Sequence, residues 1–431
     1  MNKNKYNNIL VNKQYGKWNA VLAQNDLENY VFYQNHSKIF PEELQDWIAS
    51  IKEVKLQNKF APIRLDIDIT NNCANNCVMC FAKELREKII AAISMENLIN
   101  IFNDFKKLGG KSVRLTGGGD PLNHPNIKDI IEHLAALELK ITIETNGDLL
   151  TKNVMETIAQ CVNHLRISVD AFDNVSRNNV HRPHNRKFTY DKLIENIKYI
   201  TNKANELNRN EELFIGATFI ALPENYLGIS KFVSDMHNLG VRWVALRKNI
   251  YREIYEKNPQ IIPFVEKEIE TLKKLYAKYQ DFTIEEQYGV SFAPQNDFNK
   301  CMVSRVRPII LANMSLQLCC LARNGLIPLA DIGILPPTTS PLSDLLDNNS
   351  SVQKFHRSVP ATCQFCIDKD NNISFGNIVS LLEKDENFAF SKAFVSVGSD
   401  KKMFVDENQI MQISLTKEEY EKFKCGTTVR I

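Results

Sequence analysis

The 431-residue chain predicts an α/β fold in two parts, a partial, TIM-like (β/α)6 barrel followed by a small cysteine-rich α+β domain. Three observations carry this. From Ala61 to about Leu246, short apolar strands alternate with helical stretches, the pattern of parallel βαβ units with right-handed crossovers. From Cys301 onward the composition shifts to turns, prolines (Pro336, Pro337, Pro341) and cysteines. A hydrophobic content of 44% at this length allows one large core and a smaller one.

Taken in order, residues 1–60 mix aromatics with charges, as in Tyr30 to Tyr33 and the amphipathic stretch Pro41 to Val54, and predict a capping segment. The barrel, residues 61–250, has strands expected at 63–69, 112–116, 140–145, 164–170, 213–221 and 241–247. Strand side chains alternate between faces. In the first strand Arg64, Asp66 and Asp68 therefore oppose Ile63, Leu65, Ile67 and Ile69, and in the fourth Arg166, Ser168 and Asp170 oppose Leu165, Ile167 and Val169. The apolar face packs on helices. The polar face would be costly to desolvate without partners, so it points to a bound polar cofactor or substrate, with a solvated edge strand as the alternative. Residues 251–300 predict a helical connector, because Ile262, Val265, Ile269, Leu272 and Tyr276 recur at three- and four-residue steps. Residues 301–385 form the cysteine-rich domain, and 386–431 are an extension with short β-like runs and no assigned role.

A net charge of +2 without a long basic tract argues against nucleic acid as a partner. The polar N-terminus has no apolar stretch suited to a signal peptide or membrane span, so a cytoplasmic protein is expected. Of ten cysteines, seven lie in clusters typical of metal binding, while Cys161 and Cys425 stand apart as ordinary thiols.

The densest cluster is Cys73, Cys77 and Cys80, a C-x3-C-x2-C loop directly after the first strand. Soft thiolates select iron–sulfur clusters or zinc over hard ions, and three ligands leave one metal position open. A structural zinc knuckle with a distant fourth ligand is the competing assignment. Gly117, Gly118, Gly119 and Asp120 follow the second strand, where glycines let a ligand approach the main chain. Trio and glycine run together resemble the signature of the radical SAM enzymes. The resemblance implies that the free iron of a [4Fe-4S] cluster chelates S-adenosylmethionine and cleaves it reductively to a 5′-deoxyadenosyl radical. It implies further that Gly117 to Asp120 hold the cofactor's amino group, although Asp120 stands where the family usually has Glu. The third-strand end Thr145-Asn146-Gly147 is similar to the family's, assigning Asn146 to the cofactor. Ser168 and Asp170 match positions that contact ribose or methionyl groups, and Arg182 sits where relatives keep an arginine for the cofactor carboxylate, a task that suits a planar guanidinium. Phe81 packs near adenine or belongs to the core.

The second set comprises Cys301, Cys319 or Cys320, Cys363 and Cys366, the last two with metal-ligand spacing. A structural zinc ribbon competes here. The arrangement resembles the Twitch domain, the shortened relative of the SPASM domain, which implies a second, auxiliary [4Fe-4S] cluster. Asn313 to Cys319 resembles the hairpin strand delivering the second ligand and favours Cys319, while strand phase leaves Cys320 open. The resemblance covers residues 61–385. Twitch-bearing relatives include dehydrogenases of amino-cyclitols and sugar-like alcohols, enzymes that rearrange nucleotides and enzymes that modify ribosomally made peptides. A small polar, sugar- or cyclitol-like substrate is expected here, whose carbinol would be oxidised with the electron passing to the auxiliary cluster. A donor such as flavodoxin or ferredoxin would reduce the first cluster. Glu144, His184 and Arg247 are candidates for the base. The sixty N-terminal residues look short for a peptide-leader recognition domain, but a peptide-modifying maturase remains an alternative. A zinc-stabilised, non-enzymatic binding protein is another.

Overall fold

A computed structural model describes residues 61–88, 91–247, 253–279, 281–287, 301, 303–319, 331–334 and 342, together with strand segments near both ends of the chain. Three strands precede the barrel: β1 (Ile9–Gln14), β2 (Lys17–Ala23) and β3 (Phe32–Gln34). The barrel contributes β4 (Arg64–Asp68), β5 (Ser112–Thr116), β6 (Lys140–Thr145), β7 (His164–Ser168), β8 (Phe214–Ile220), β9 (Trp243–Arg247) and β10 (Thr283–Gln287). After it come β11 (Ile309–Ile310), β12 (Ser315–Gln317) and β13 (Asp331–Ile334), then β14 (Phe390–Val397), β15 (Phe404–Val405), β16 (Met411–Gln412) and β17 (Val429–Arg430).

The chain divides into two compact units, residues 62–290 with 307–355, and residues 1–61 with 291–306 and 356–431. In the second of these the two chain ends, expected as separate extensions, share one five-stranded sheet in the order β17-β14-β2-β1-β3. β14 pairs antiparallel with β2, and β17 pairs parallel with β14. A lone hairpin is marginal in water, and strands distant in sequence supply the missing partners. Such pairings leave no local signal.

In the other unit the six expected strands lie where the alternation places them, in one sheet ordered β10-β9-β8-β7-β6-β5-β4-β11-β12-β13. β4 to β10 are all parallel. β10 is a seventh parallel strand inside the expected helical connector, whose described helices span Glu253–Glu256 and Ile261–Tyr276. Its sequence, Thr-Ile-Glu-Glu-Gln, has no apolar alternation to announce it. Strands β11, β12 and β13 continue the barrel sheet: β11 pairs parallel with β4 and antiparallel with β12, which pairs antiparallel with β13. This pairing covers what would otherwise be an open edge at β4. Cys320, Cys363, Cys366 and Cys425 lie outside the described residues. Among the described residues no helix is long and apolar enough to cross a membrane.

Helices α1 (Lys83–Lys88), α2 (Met95–Lys107), α3 (Ile127–Ala136), α4 (Lys152–Cys161), α5 (Asn174–His181), α6 (Tyr190–Glu206) and α7 (Ile229–Asn238) form the crossovers. Each longer one buries a single stripe, such as Leu98, Ile101, Phe102 and Phe105 of α2, and Ser94 caps that helix by accepting from the Asn97 N–H. Leu65, Ile67, Val113, Leu115, Ile141, Ile143, Leu165 and Ile167 are wholly buried on the apolar face of the sheet. The opposite face is charged yet also buried. Arg64 donates to Thr142 and pairs with Asp66, Arg114 bridges Asp66 (2.7 Å) to Glu144 (3.2 Å), and Arg166 reaches Glu144 at 2.6 Å. Neighbouring strands thus pass charge from β4 to β7. Deeper in, Gly216 leaves room for the Trp243 ring, on which a Cβ would land, and Trp243 donates to Glu285 at 2.8 Å.

His164 stacks against Phe214 and Trp243 beneath this network. Burial, reinforced by Arg64, lowers its pKa from 6.5 to about 3. The folded form thus excludes a proton that the unfolded chain binds below pH 6.5, so this group's stability is present above 6.5 and lost as pH falls towards 3. Urea unfolding at pH 7.5 and 5.5 should show a loss of about 1.4 kcal/mol from this residue, absent in His164→Phe.

Candidate functional site

The chemistry-bearing segments meet at the C-terminal ends of the parallel strands, where barrels of this kind carry their sites. β4 ends at Asp68, and the chain enters the cysteine loop through a bridge between Thr70 and Ala92. Cys73, Cys77 and Cys80 are half-buried in that loop. The end of α5 braces it from the far side. The Val78 N–H donates to Val180 O, the Asn76 N–H to His181 O, and the His184 N–H to Ala74 O. Met79 packs on Val180 and Leu222. Arg182 ends α5 in the left-handed region (φ 48°) just before Pro183, which cannot continue a helix.

The glycine turn after β5 packs directly on the residues preceding Cys73. The Gly118 N–H donates to Asp68 (3.0 Å), the Gly119 N–H to Thr70 O, and the Asp120 N–H to Asn72 O (2.9 Å). A Cβ on Gly118 would strike the Asn71 side chain, and one on Gly119 the Asn72 carbonyl, so close approach demands glycine at both. Asp120 is buried. Its carboxylate accepts from the Leu122 N–H (2.9 Å), the Thr145 hydroxyl (2.9 Å) and the Asn146 N–H (2.7 Å). Burial raises its pKa to about 6 against the pull of these hydrogen bonds. Asn146 accepts from the Asp148 N–H at Oδ1, which turns its Nδ2 towards the Cys73 sulfur at 3.6 Å. The adjoining turn uses Gly147 at φ 80°.

Several contributors carry no sequence motif. Arg177, fully buried, ties Asn146 O to Asp148. His181 stands with Nδ1 3.4 Å from the Cys77 sulfur and Nε2 3.0 Å from Val169 O. Neither residue could be found without the fold, because each acts through backbone carbonyls of another strand.

The expected site residues are placed differently from one another. Gly117 to Asp120 and Asn146 lie against the cysteine loop. Asp170 instead braces the fold: Oδ1 accepts from the Ile220 N–H (2.7 Å) and Oδ2 is 3.5 Å from His181, while Ser168 is half-buried at the end of β7. Arg182 and His184 are exposed and touch the cysteine loop through their backbones. Burial would raise the Glu144 pKa, but Arg114, Arg166 and Arg247 outweigh it and hold that carboxyl well below the usual range. A carboxylate clamped by guanidinium groups and the Thr116 hydroxyl is a poor proton acceptor, and Glu144 anchors the network instead. Cys301 and Cys319 are described and half-buried.

Comparison with known proteins bears on this arrangement. Residues 67–207 match the family model of the radical SAM superfamily. GTP 3′,8-cyclase of Pseudomonas savastanoi pv. phaseolicola is 32% identical over 115 residues, covering 25% of this chain and 33% of that one. The enzyme of the same name from Staphylococcus epidermidis is 30% identical over 171 residues, covering 37% and 48%. The chain thus spans between a third and half of the length of these curated relatives. SuiB of Streptococcus suis, solved bound to the precursor peptide SuiA, shares the fold with a TM-score of 0.53 at 16% identity, covering 78% of this chain and 74% of that one. The peptide- and AdoMet-bound anSMEcpe shares it with a TM-score of 0.50 at 10% identity, covering 75% and 97%. A parallel barrel with a three-cysteine loop at its chemical end defines the class. The chain carries a radical SAM domain, and the segment 67–207 belongs to that superfamily.

Membership implies a [4Fe-4S] cluster and S-adenosylmethionine, and the residues present fit them. Cys73, Cys77 and Cys80 would hold the cluster. Among the described residues no three His, Cys, Asp or Glu side chains stand in position to hold a metal ion, but cysteines that each bind a different iron of a cluster need not meet at one point. Burial, then the Asp120 charge, pushes the Cys73 thiol up to about 11, and burial with Cys73 and Cys80 pushes Cys77 well above its ordinary value. Such thiols become ligands by releasing protons as metal binds. The Asn75 side-chain amide, between the first two cysteines, is buried with neither polar atom partnered among the described residues, as expected of a group awaiting a ligand. An N–H···S bond from Asn146 should raise the cluster's potential. In Asn146→Ala the midpoint, followed by EPR during reductive titration, should fall by up to about 59 mV, a tenfold shift in the reduction equilibrium.

Proposed function

We propose that this chain is a radical SAM oxidoreductase acting on a small polar, sugar- or cyclitol-like substrate. The observation that carries this is the charged inner face of the barrel sheet, where Asp66, Arg114, Glu144 and Arg166 are joined in ion pairs and Arg247 bears on the same Glu144. Polar groups placed there favour a substrate with hydrogen-bonding groups over an apolar one. When bound, the cofactor supplies a carbon radical able to take a hydrogen atom from an unactivated C–H bond. The chain's own part is positioning. Its glycine turn presents backbone close to the cysteine loop, Asp120 locks that turn to the end of β6, and Arg177 and His181 hold the loop from behind.

Oxidation of a carbinol to a ketone would remove two hydrogens, one as a hydrogen atom taken by the radical that the bound cofactor supplies, the other as an electron and a hydroxyl proton released to water at the mouth. The second cysteine set, Cys301, Cys319, Cys363 and Cys366, is proposed to hold an auxiliary cluster that takes the electron. A flavodoxin or ferredoxin in the cytoplasm would supply the reducing electron. A second reading is modification of a peptide. It is favoured by the five-stranded sheet of the chain ends, whose N-terminal strands give residues 1–60 more structure than a cap requires.

Anaerobic reconstitution tests the first reading. About eight irons per chain are expected for two clusters, and turnover with cyclitols should yield 5′-deoxyadenosine and ketone in equal amounts, abolished by Cys77→Ala. Colourless protein holding zinc would point to the binding protein, and recovery of unconsumed cofactor after product forms would point to an isomerase; either contradicts the proposal.

A further inference from the structure

Arg247 is the last residue of β9, level with Ile220 of β8 and Gln287 of β10 at the C-terminal mouth of the barrel. Its Nε is buried, and among the described residues its guanidinium makes no hydrogen bond and no ion pair. Burial lowers its pKa while Glu144, Asp170 and Glu285 oppose the shift, so those carboxylates act on it from a distance. Each is committed elsewhere: Glu144 to Arg114, Arg166 and Thr116, Asp170 to the Ile220 N–H and His181, and Glu285 to Trp243. Arg166 is in a related position. Its terminal nitrogen is spent on Glu144, its Nε is buried without a partner, and Arg247 is among the charges that depress its pKa. Arg166 and Arg247 therefore bear, with Arg114, on one shared carboxylate, and among the described residues Arg247 makes no hydrogen bond or ion pair of its own.

A buried guanidinium nitrogen without a partner is costly, Arg247 as a whole is only half-buried, and a planar guanidinium fork matches carboxylate or phosphate oxygens in pairs. We infer that Arg247 is the receptor for an anionic group, carboxylate or phosphate, on the substrate, with Arg166 reinforcing the local potential. This deepens the small-polar-substrate reading and rests on it for the identity of the mouth as a substrate site. The cofactor's own carboxylate is the other source of such an anion. Topology sets it aside: the cysteine loop, glycine turn and Asn146 follow β4, β5 and β6, whereas Arg247 ends β9, three strands further round the sheet.

The test uses the full chain with its cluster reconstituted and left oxidised, so that S-adenosylmethionine can bind but no turnover occurs. Inorganic phosphate is titrated and followed by 31P line broadening at constant ionic strength, with acetate and S-adenosylmethionine as competitors. Saturable binding by wild type, displaced by acetate and not by S-adenosylmethionine, is expected. Arg247→Gln should weaken it about tenfold or more, and Arg247→Lys should restore part of it. Circular dichroism and a thermal melt of each variant establish folding. Absence of saturable binding to wild type, equal binding by a folded Arg247→Gln, or one-for-one displacement by S-adenosylmethionine would each overturn the inference. Should the enzyme prove not to oxidise carbinols, phosphate binding would survive, and the two failures are thereby distinguished.

Discussion

The chemical end of the barrel depends on how Asp120 is held. Among the described residues its buried carboxylate forms no ion pair, and it is satisfied by hydrogen bonds that tie the turn after β5 to the end of β6. One of these comes from the Leu122 N–H, so Asp120 caps the short helical turn Pro121–Asn123. Aspartate suits such a cap better than glutamate, because its shorter side chain reaches a backbone N–H two residues on. The departure from the family's usual glutamate thus has a local physical cause. Through Asn146 the same carboxylate orients the amide that faces Cys73, so a structural hydrogen bond sets the surroundings of a sulfur ligand.

A second constraint is the charge buried on the inner face of the sheet. Arginines on β4, β5 and β7 alternate with carboxylates on β4 and β6, and all but the Arg64–Asp66 pair within β4 bridge neighbouring strands. Removing either partner would strand a buried charge, at a cost of about 3–5 kcal/mol. The network therefore resists local rearrangement, and the surplus guanidinium at its upper end is presented in a fixed frame. Rigid placement of polar groups around the mouth is what an enzyme handling a reactive radical needs, because orientation decides which C–H bond is within reach.

The legibility of this arrangement in the sequence follows from the range of the forces involved. Alternation of Arg64, Asp66 and Asp68 with Leu65 and Ile67 exposes both the strand and its polar face, since side-chain period is local. The cysteine spacing is equally local. β10 escapes notice because two consecutive glutamates break the alternation, although Glu285 is buried by its bond to Trp243. Arg177 and His181 escape because α5 shows only a weak apolar pattern, and their partners, Val169 O and Asn146 O, are backbone atoms of other segments. Glu144 looks like a base from sequence. Three arginines converging on it make it an anchor, which no single strand reveals.

Electron paramagnetic resonance of the reduced, iron-loaded protein, recorded before and after addition of S-adenosylmethionine, tests the central claim most directly. The account predicts that the signal of the cluster held by Cys73, Cys77 and Cys80 changes its g-values when the cofactor is added, and that the changing signal is absent from Cys77→Ala. A spectrum identical with and without the cofactor, in protein whose cluster is fully assembled, would contradict it.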